Sequence, residues 1–400
     1  MLFSLALIFI LGLGVGGLLR RLHLPSLLGF LIIGIGLGPY GFNLIDASIL
    51  NISSELREMA LIIILTRGAL ALNLKELRTI GKPAILMCFL PALFEIVAVV
   101  LLSMWLFNMP FLESILLGSI LGAVSPAVII PKMLSMIEEK HGTAKGIPQL
   151  IIAGASADDI VVVLIFTATL GVALTGSFAF SSLIQVPIGM ILGALVGIVL
   201  GLALVAFFKR VHMRDSMKVI LLLSFSFLLM AVEDVLHDVV GFSGLISLIA
   251  MNLTIGHRYP VLSTRLSNKY TKLWIVAEML LFVLVGAVVN LNLFLPHFIK
   301  GLGLITGALL IRFLGVQASI GGMNLNRRER LFCGISYLPK ATVQAAIGAI
   351  PLTLGLPYGE FILSMAVFSI LLTAPIGAIL MDVGGKFLIS YDNIEKLKDK

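Results

Sequence analysis

Charge is what this sequence lacks. Only 12% of its 400 residues are Asp, Glu, Lys or Arg, about half of what a soluble domain carries, so a water-soluble fold with a charged surface is excluded. Cysteine is scarce too. Cys88 and Cys333 both lie in apolar stretches, which excludes a disulfide framework and a cysteine metal site. Long polar segments are missing as well, the longest running from Asn43 to Glu58, which leaves no room for an appended soluble domain. What remains is 59% hydrophobic with 39 glycines and a mean hydropathy of +1.13. A soluble core could not hide that much apolar surface, and glycine is enriched in membrane helices. The chain reads as a single polytopic membrane domain over residues 1–400, all-α in class.

A membrane helix needs about 20 mostly apolar residues. Thirteen such stretches follow one another at 1–19, 25–40, 57–73, 82–107, 111–132, 146–173, 181–208, 216–235, 239–256, 272–293, 297–320, 330–354 and 358–381. The first is not expected to be a signal peptide, because no basic residue precedes it and Arg20 and Arg21 follow it. Of the 28 lysines and arginines, three (Arg67, Arg312 and Lys340) lie deep within stretches, and two (Arg57 and Lys300) lie at stretch ends on the side of even-numbered connections. The other 23, including Lys75, Arg78, Lys396, Lys398 and Lys400, lie in odd-numbered connections, at the stretch ends beside them, or in the C-terminal tail. The positive-inside rule then puts the C-terminus in the cytoplasm and the N-terminus outside. The net charge of +7 is thereby accounted for as topology and contact with the lipid bilayer, and no nucleic-acid partner is expected.

Removing the loop charges leaves Arg67, Glu95, Asp158, Asp159, Arg312 and Lys340 inside the stretches, with Glu278 near a helix end. Ionisable groups at that depth are costly and usually functional. Glu278 reads as interfacial, and Arg67 as either a partner for a buried acid or a snorkelling side chain. Asp158 and Asp159 are harder to explain structurally. They are consecutive in Gly154-Ala155-Ser156-Ala157-Asp158-Asp159-Ile160 and diverge by about 100° around a helix, so both can reach one cavity but not one lipid face. Two like charges in low dielectric cannot both ionise cheaply. Such a pair can hold a proton or a small cation and has difficulty holding both, which is the chemistry of exchange.

Two stretches look broken. The fifth contains Ser125-Pro126-Ala127-Val128-Ile129-Ile130-Pro131, and the twelfth contains Tyr337-Leu338-Pro339-Lys340-Ala341-Thr342-Val343-Gln344. Proline removes a backbone donor and frees a carbonyl, and irregular backbone at membrane depth is tolerated only within protein or beside a cavity. If stretches 1–6 repeat as stretches 8–13 around the seventh, both breaks fall at the fifth position of their copy, and the odd offset inverts the second copy. Paired interrupted helices in an inverted-topology repeat point to a transporter site.

Together the paired aspartates, the Ser125-Pro126 break and Pro339-Lys340-Ala341-Thr342-Val343-Gln344 resemble sodium/proton antiporters of the NhaA/NapA type, the last motif looking closest to the NHA branch. The resemblance covers nearly the whole chain. It implies a fold with two crossing broken helices, a homodimer and an elevator-like motion, without a cofactor and without enzymatic activity. It makes Asp159 the carrier of Na⁺ (or Li⁺) and H⁺, with Asp158 beside it, and places Ser125 and Thr342 as oxygen ligands of the transported ion. Arg312 falls where NhaA-like relatives carry a lysine, and in the NHA branch its partner is a glutamate, for which Glu95 is the match. Lys340 would then counter the partial negative charge of the broken-helix C-termini.

Potassium/proton exchange and organic-anion symport are alternatives on the same scaffold. An intramembrane aspartyl protease is a remote one, since its two aspartates must face each other from different helices. Six histidines, His23, His141, His212, His237, His257 and His297, lie at stretch ends or in loops and read as ordinary interfacial residues, a pH sensor at His141 or His257 being the sharper alternative. Brief termini suggest a bacterial inner membrane.

Overall fold

The computed structural model describes residues 1–22, 24–72, 81–175, 180–236, 242–290 and 295–389. His23, His237, Lys75, Arg78, Lys396, Lys398 and Lys400 lie outside the described residues, as do the stretch ends at 73, 239–241 and 291–293. Every element described is helical. In chain order they are α1 (Leu2–Arg21), α2 (Ser26–Leu37), α3 (Ala47–Asn51), α4 (Ser53–Ala71), α5 (Lys82–Met87), α6 (Leu90–Phe107), α7 (Phe111–Leu121), α8 (Pro126–Glu138) and α9 (Ile147–Thr175). There follow α10 (Phe180–Arg210), α11 (Asp215–Leu236), α12 (Gly244–Arg258), α13 (Pro260–Ala287), α14 (Phe298–Ser319), α15 (Arg327–Ser336), α16 (Thr342–Ile347), α17 (Ile350–Thr353) and α18 (Gly359–Leu388).

Among the described residues, nine helical segments are long and apolar enough to cross a membrane. They carry nine of the thirteen apolar stretches. The stretches at 25–40, 57–73, 239–256 and 330–354 fall instead on shorter or more polar helices, namely α2, α4, α12 and the α15–α17 series.

Three expectations from the sequence need correction. The polar run from Asn43 to Glu58 is not an open loop, because α3 and the first turns of α4 occupy it. Arg57 accordingly sits on α4, buried, donating from Nε to the Ser53 carbonyl at 3.0 Å. Glu278 lies inside α13 rather than at a helix end, half-buried and within Coulombic reach of Arg67 on α4. The helix begins twelve residues before the apolar stretch does, carrying the exposed, charged Arg265, Lys269 and Lys272 on its first turns. Pro131 does not break its helix. It sits inside α8, whose first residue is Pro126. There it forfeits only the bond to the Ala127 carbonyl, while Pro126 at the first helical position lacks a donor that no partner awaited.

A third interruption separates α5 from α6 at Cys88 and Phe89. Pro91 cannot donate to the carbonyl of Met87, four residues back. The Tyr337 hydroxyl donates to that carbonyl instead, at 3.5 Å.

The helices pack in two groups. In one, α10 lies against α12 and α13 lies against both α2 and α4. In the other, α6 packs on α14 and α7, α9 on α7 and α8, and α15 and α17 on α18. The α10–α12 contact depends on glycine. Gly193, Gly197 and Gly201 recur every four residues on α10, and a Cβ at each would collide with the carbonyl of Ser243, Ser247 or Met251 respectively. Backbone–backbone approach of this kind lets membrane helices pack closely. Gly12 and Gly16 on α1, the spacing visible in the first apolar stretch, face side chains instead, those of Met279 and Phe30.

Gly197→Val is therefore expected to lower the unfolding free energy by about 1–3 kcal/mol through overpacking. Gly14→Ala on α1, where an added Cβ meets open space, is neutral or stabilising by up to about 1 kcal/mol. Denaturant unfolding of the detergent-solubilised variants distinguishes the two, and an unaffected Gly197→Val would refute the close contact.

Candidate functional site

Four non-helical residues, Gly122 to Ser125, separate α7 from α8, and five, Tyr337 to Ala341, separate α15 from α16. The two breaks touch, the Ser125 backbone N–H donating to the Pro339 carbonyl at 2.8 Å. Ending α7 there leaves its last carbonyls without intrahelical donors, and each finds a side chain. Gln344 Nε2 donates to Ile120 and Ala123 at 3.0 and 2.9 Å. Lys340 Nζ donates to Leu121 at 2.5 Å, and Arg312 Nη1 to Gly122. The next residue turns its N–H the other way, Val124 donating to Asp158 Oδ2 at 2.8 Å.

Two cations are thus buried at the negative end of a helix, and two carboxylates offset them. Arg312 Nη1 meets Glu95 Oε2 at 2.6 Å, and Lys340 Nζ meets Glu95 Oε1 at 2.6 Å. Arg312 Nη2 meets Asp158 Oδ2 at 3.1 Å. Each of these four side chains is at most 1% exposed. The Arg312 guanidinium also lies 5.4 Å from the Tyr337 ring centre, in cation–π range. Formal charges within the cluster cancel, two against two. Asp159, next along α9, is left outside it.

Among the buried oxygens of this region without a hydrogen-bond partner are Asp158 Oδ1, Asp159 Oδ1, Ser125 Oγ and Thr342 Oγ1, with Gln344 Oε1 beside them. Ser125 is the residue before α8 and Thr342 the first of α16, so the two hydroxyls stand at the two helix N-termini of the crossing. Buried oxygens without donors are costly. A donor set of carboxylate and hydroxyl oxygens suits a hard cation, and the carboxylates equally accept a proton.

The candidate site residues named from the sequence all lie among the described residues. Asp158, Glu95, Arg312 and Lys340 form one network, while Ser125, Thr342, Pro126 and Pro339 lie in or at the edges of the breaks. Pro131 stands apart within α8, and Arg67 on α4 and Glu278 on α13 lie away from the network, within Coulombic reach of each other. Charge alone did not disclose Gln344 or Tyr337. Gln344 is uncharged, and its position in the Pro339-to-Gln344 motif was the one available signal. Tyr337 could have been found only by asking what satisfies the carbonyl freed by Pro91. Among the histidines, His141 is buried, His212 and His257 are exposed, and His297 stands edge-on to Phe107 and Phe361 at 5.8 Å from each. The two aspartates do not face each other from different helices, as an aspartyl protease requires, and one of them is held by an arginine.

A profile of the family described as "Sodium/hydrogen exchanger, transmembrane" matches residues 5–382. Human sodium/hydrogen exchanger 9B2 is 34% identical over 388 residues, covering 92% of this chain and 70% of that protein. Human sodium/hydrogen exchanger 9B1 is 32% identical over 390 residues, covering 94% and 75%. Among solved structures, the sodium proton antiporter MjNhaP1 from Methanocaldococcus jannaschii superposes with a TM-score of 0.81 at 21% identity, covering 96% of this chain and 97% of that one. That likeness establishes an NhaP-like fold. The 9B1 and 9B2 relatives are animal proteins and give no support to the bacterial inner membrane suggested by the brief termini.

Removing one partner of a buried charge pair leaves the other uncompensated, at about 3–5 kcal/mol. Glu95→Gln leaves Lys340 without a carboxylate and Arg312 with Asp158 alone, and is expected to cost that much. Lys132→Gln, which breaks the half-exposed pair with Asp382, should cost about 1 kcal/mol or less. Equal losses in thermal or denaturant unfolding would show that Glu95 does not carry the network.

Proposed function

The chain belongs to the sodium/hydrogen exchanger family and is a membrane cation/proton antiporter rather than an enzyme, and on that premise we propose that Asp159 carries Na⁺ (or Li⁺) and H⁺ in alternation. The observation that carries this reading is that Asp159 stands outside a charge-balanced cluster, with Oδ1 buried and unpartnered. Ser125 Oγ, Thr342 Oγ1 and Asp158 Oδ1 complete the cation's ligands, each likewise buried without a partner. Asp158 is a ligand through that one oxygen only, since its other oxygen serves Arg312 and Val124. K⁺ would use the same oxygens, cavity size and ligand field deciding between the ions.

The architecture we propose is an inverted-topology repeat of thirteen crossings, with the N-terminus outside and the C-terminus cytoplasmic, of the NhaA/NapA type and nearest its NHA branch. The Glu95–Arg312 pair at 2.6 Å supports the NHA placement. Every residue of the charge network belongs to one of the two helix groups, α5–α9 with α14–α18, so that group can shift past the other without breaking a buried ion pair. This supports an elevator-type motion against a scaffold of α1–α4 and α10–α13, which would also form the homodimer. The protein would work as a multi-pass component of a cell membrane.

With Asp158 held by Arg312, which keeps its proton at any working pH, one carboxylate remains to titrate and the exchange is one cation for one proton. A second proton would couple transport to voltage by about 2.3 kcal/mol per 100 mV, roughly fifty-fold in gradient.

In liposomes containing a pH dye, addition of Na⁺, Li⁺ or K⁺ in turn should alkalinise or acidify the lumen for the transported ion, and Asp159→Asn should abolish the response. Retained exchange in that variant would overturn the carrier assignment. An imposed potential of about 100 mV should leave the equilibrium Na⁺ distribution unchanged, and a shift approaching fifty-fold would establish two protons per cation.

A further inference from the structure

Away from the charge network, an open cavity of about 880 Å³ lies where the end of α10, the start of α11 and the start of α13 meet. Its charged lining is Lys209, Arg214, Lys218, Arg265 and Lys269, against Asp215 as the one carboxylate. Asp215 is shared, lying 3.6 Å from Lys218 Nζ and 3.3 Å from Arg265 Nε. Among the described residues, Lys209, Arg214 and Lys269 have no acidic partner. The formal surplus is therefore four positive charges (five minus one).

Orientation of the chain in the membrane accounts for basic residues at this end, but not for their arrangement. All five line one cavity, four of them exposed and Lys218 buried. Lys218 is 6% exposed, although a lysine is almost never buried without full pairing. Two of the lysines are also held by aromatic rings, Lys209 over Tyr259 and Lys218 over Phe208, each at 5.7 Å. Two helices of 22 and 28 residues, α11 and α13, begin at the rim, and helix N-termini favour anions. Arg214 and Arg265 supply planar forks that match phosphate oxygens, and the lysines supply point charges.

We propose that this cavity binds a phosphate-bearing anion of two or more negative charges, presented either free in solution or as a lipid headgroup. A multivalent phosphate would cancel the surplus and give Lys218 the full pairing that it lacks. The site is built from the scaffold group and is independent of the ion-carrying assignment of Asp159.

Pyrophosphate is the soluble probe. In neutral detergent at fixed Na⁺ and ionic strength, the unfolding midpoint should rise with pyrophosphate but not with chloride, because ligand binding to the folded state alone stabilises it. Arg214→Gln/Lys269→Gln, two exposed positions, should weaken that response on the order of tenfold or more while leaving the unliganded midpoint and exchange unchanged. Arg327→Gln/Arg328→Gln, an exposed basic pair on α15, should leave the response intact. If pyrophosphate has no effect but phosphatidic acid in phosphatidylcholine nanodiscs stabilises the protein, with the same dependence on Arg214 and Lys269, the anion is a lipid headgroup. No stabilisation by either probe, or an equal loss in both double variants, would overturn the site.

Discussion

Four carbonyl groups at the end of α7 determine much of the polar interior. A helix that stops within a membrane protein exposes its last carbonyls to an environment without water, where each unsatisfied group costs several kcal/mol. Ile120, Leu121, Gly122 and Ala123 are all capped by side chains, from Gln344, Lys340 and Arg312. Using two cations as caps creates the next requirement, because buried charges need counterions. Glu95 and Asp158 supply them. The break, the cations and the acids are thus successive consequences of ending a helix in the middle of a packed group.

The two breaks hold each other in place. The first gives its Ser125 N–H to the Pro339 carbonyl, and the second gives Lys340 and Gln344 side chains to the carbonyls of the first. The Lys340 N–H, which has no helical partner in the break, donates to the Thr373 hydroxyl on α18 at 2.9 Å. Neither crossing segment can be displaced alone without exposing several of these groups. The crossing is therefore rigid relative to α6, α9, α14 and α18, and the unpartnered oxygens of Ser125 and Thr342 are held in a fixed frame.

Much of this was legible in the sequence because charge and proline are expensive in lipid. Apolar runs gave the helical class and the approximate position of each helix. Subtracting loop charges isolated Glu95, Asp158, Arg312 and Lys340, which the fold brings together from helices far apart in sequence. What stayed hidden was uncharged or dictated by backbone geometry. Gln344 satisfies two carbonyls without a charge to reveal it, and the Val124 N–H that holds Asp158 is a main-chain group with no sequence signature. Pro131 misled because, so near the start of α8, its missing N–H forfeits only the bond to the Ala127 carbonyl and the helix runs on through it. Glu278 misled because the apolar run gives the membrane-buried part of a helix, whereas α13 begins twelve residues earlier.

The identity of residue 312 bears on how tightly the proposed exchange is coupled. A lysine there could lose its proton and let the charge of the network vary, but an arginine cannot. With Lys340 keeping its proton in the pair with Glu95 and the four charges balanced two against two, the net charge of the buried network would, on the proposed reading, change only with the occupant of Asp159. Na⁺ or H⁺ on that carboxylate would leave the network neutral, and an empty carboxylate would leave one uncompensated charge in low dielectric, at several kcal/mol even after relaxation. If the motion is of the proposed elevator type, loaded forms would move past the scaffold and the empty form would be held back, so that a proton crosses one way only when a cation crosses the other. Coupling on this reading needs no separate gate, because it follows from the cost of moving a bare carboxylate beside an arginine that never gives up its charge.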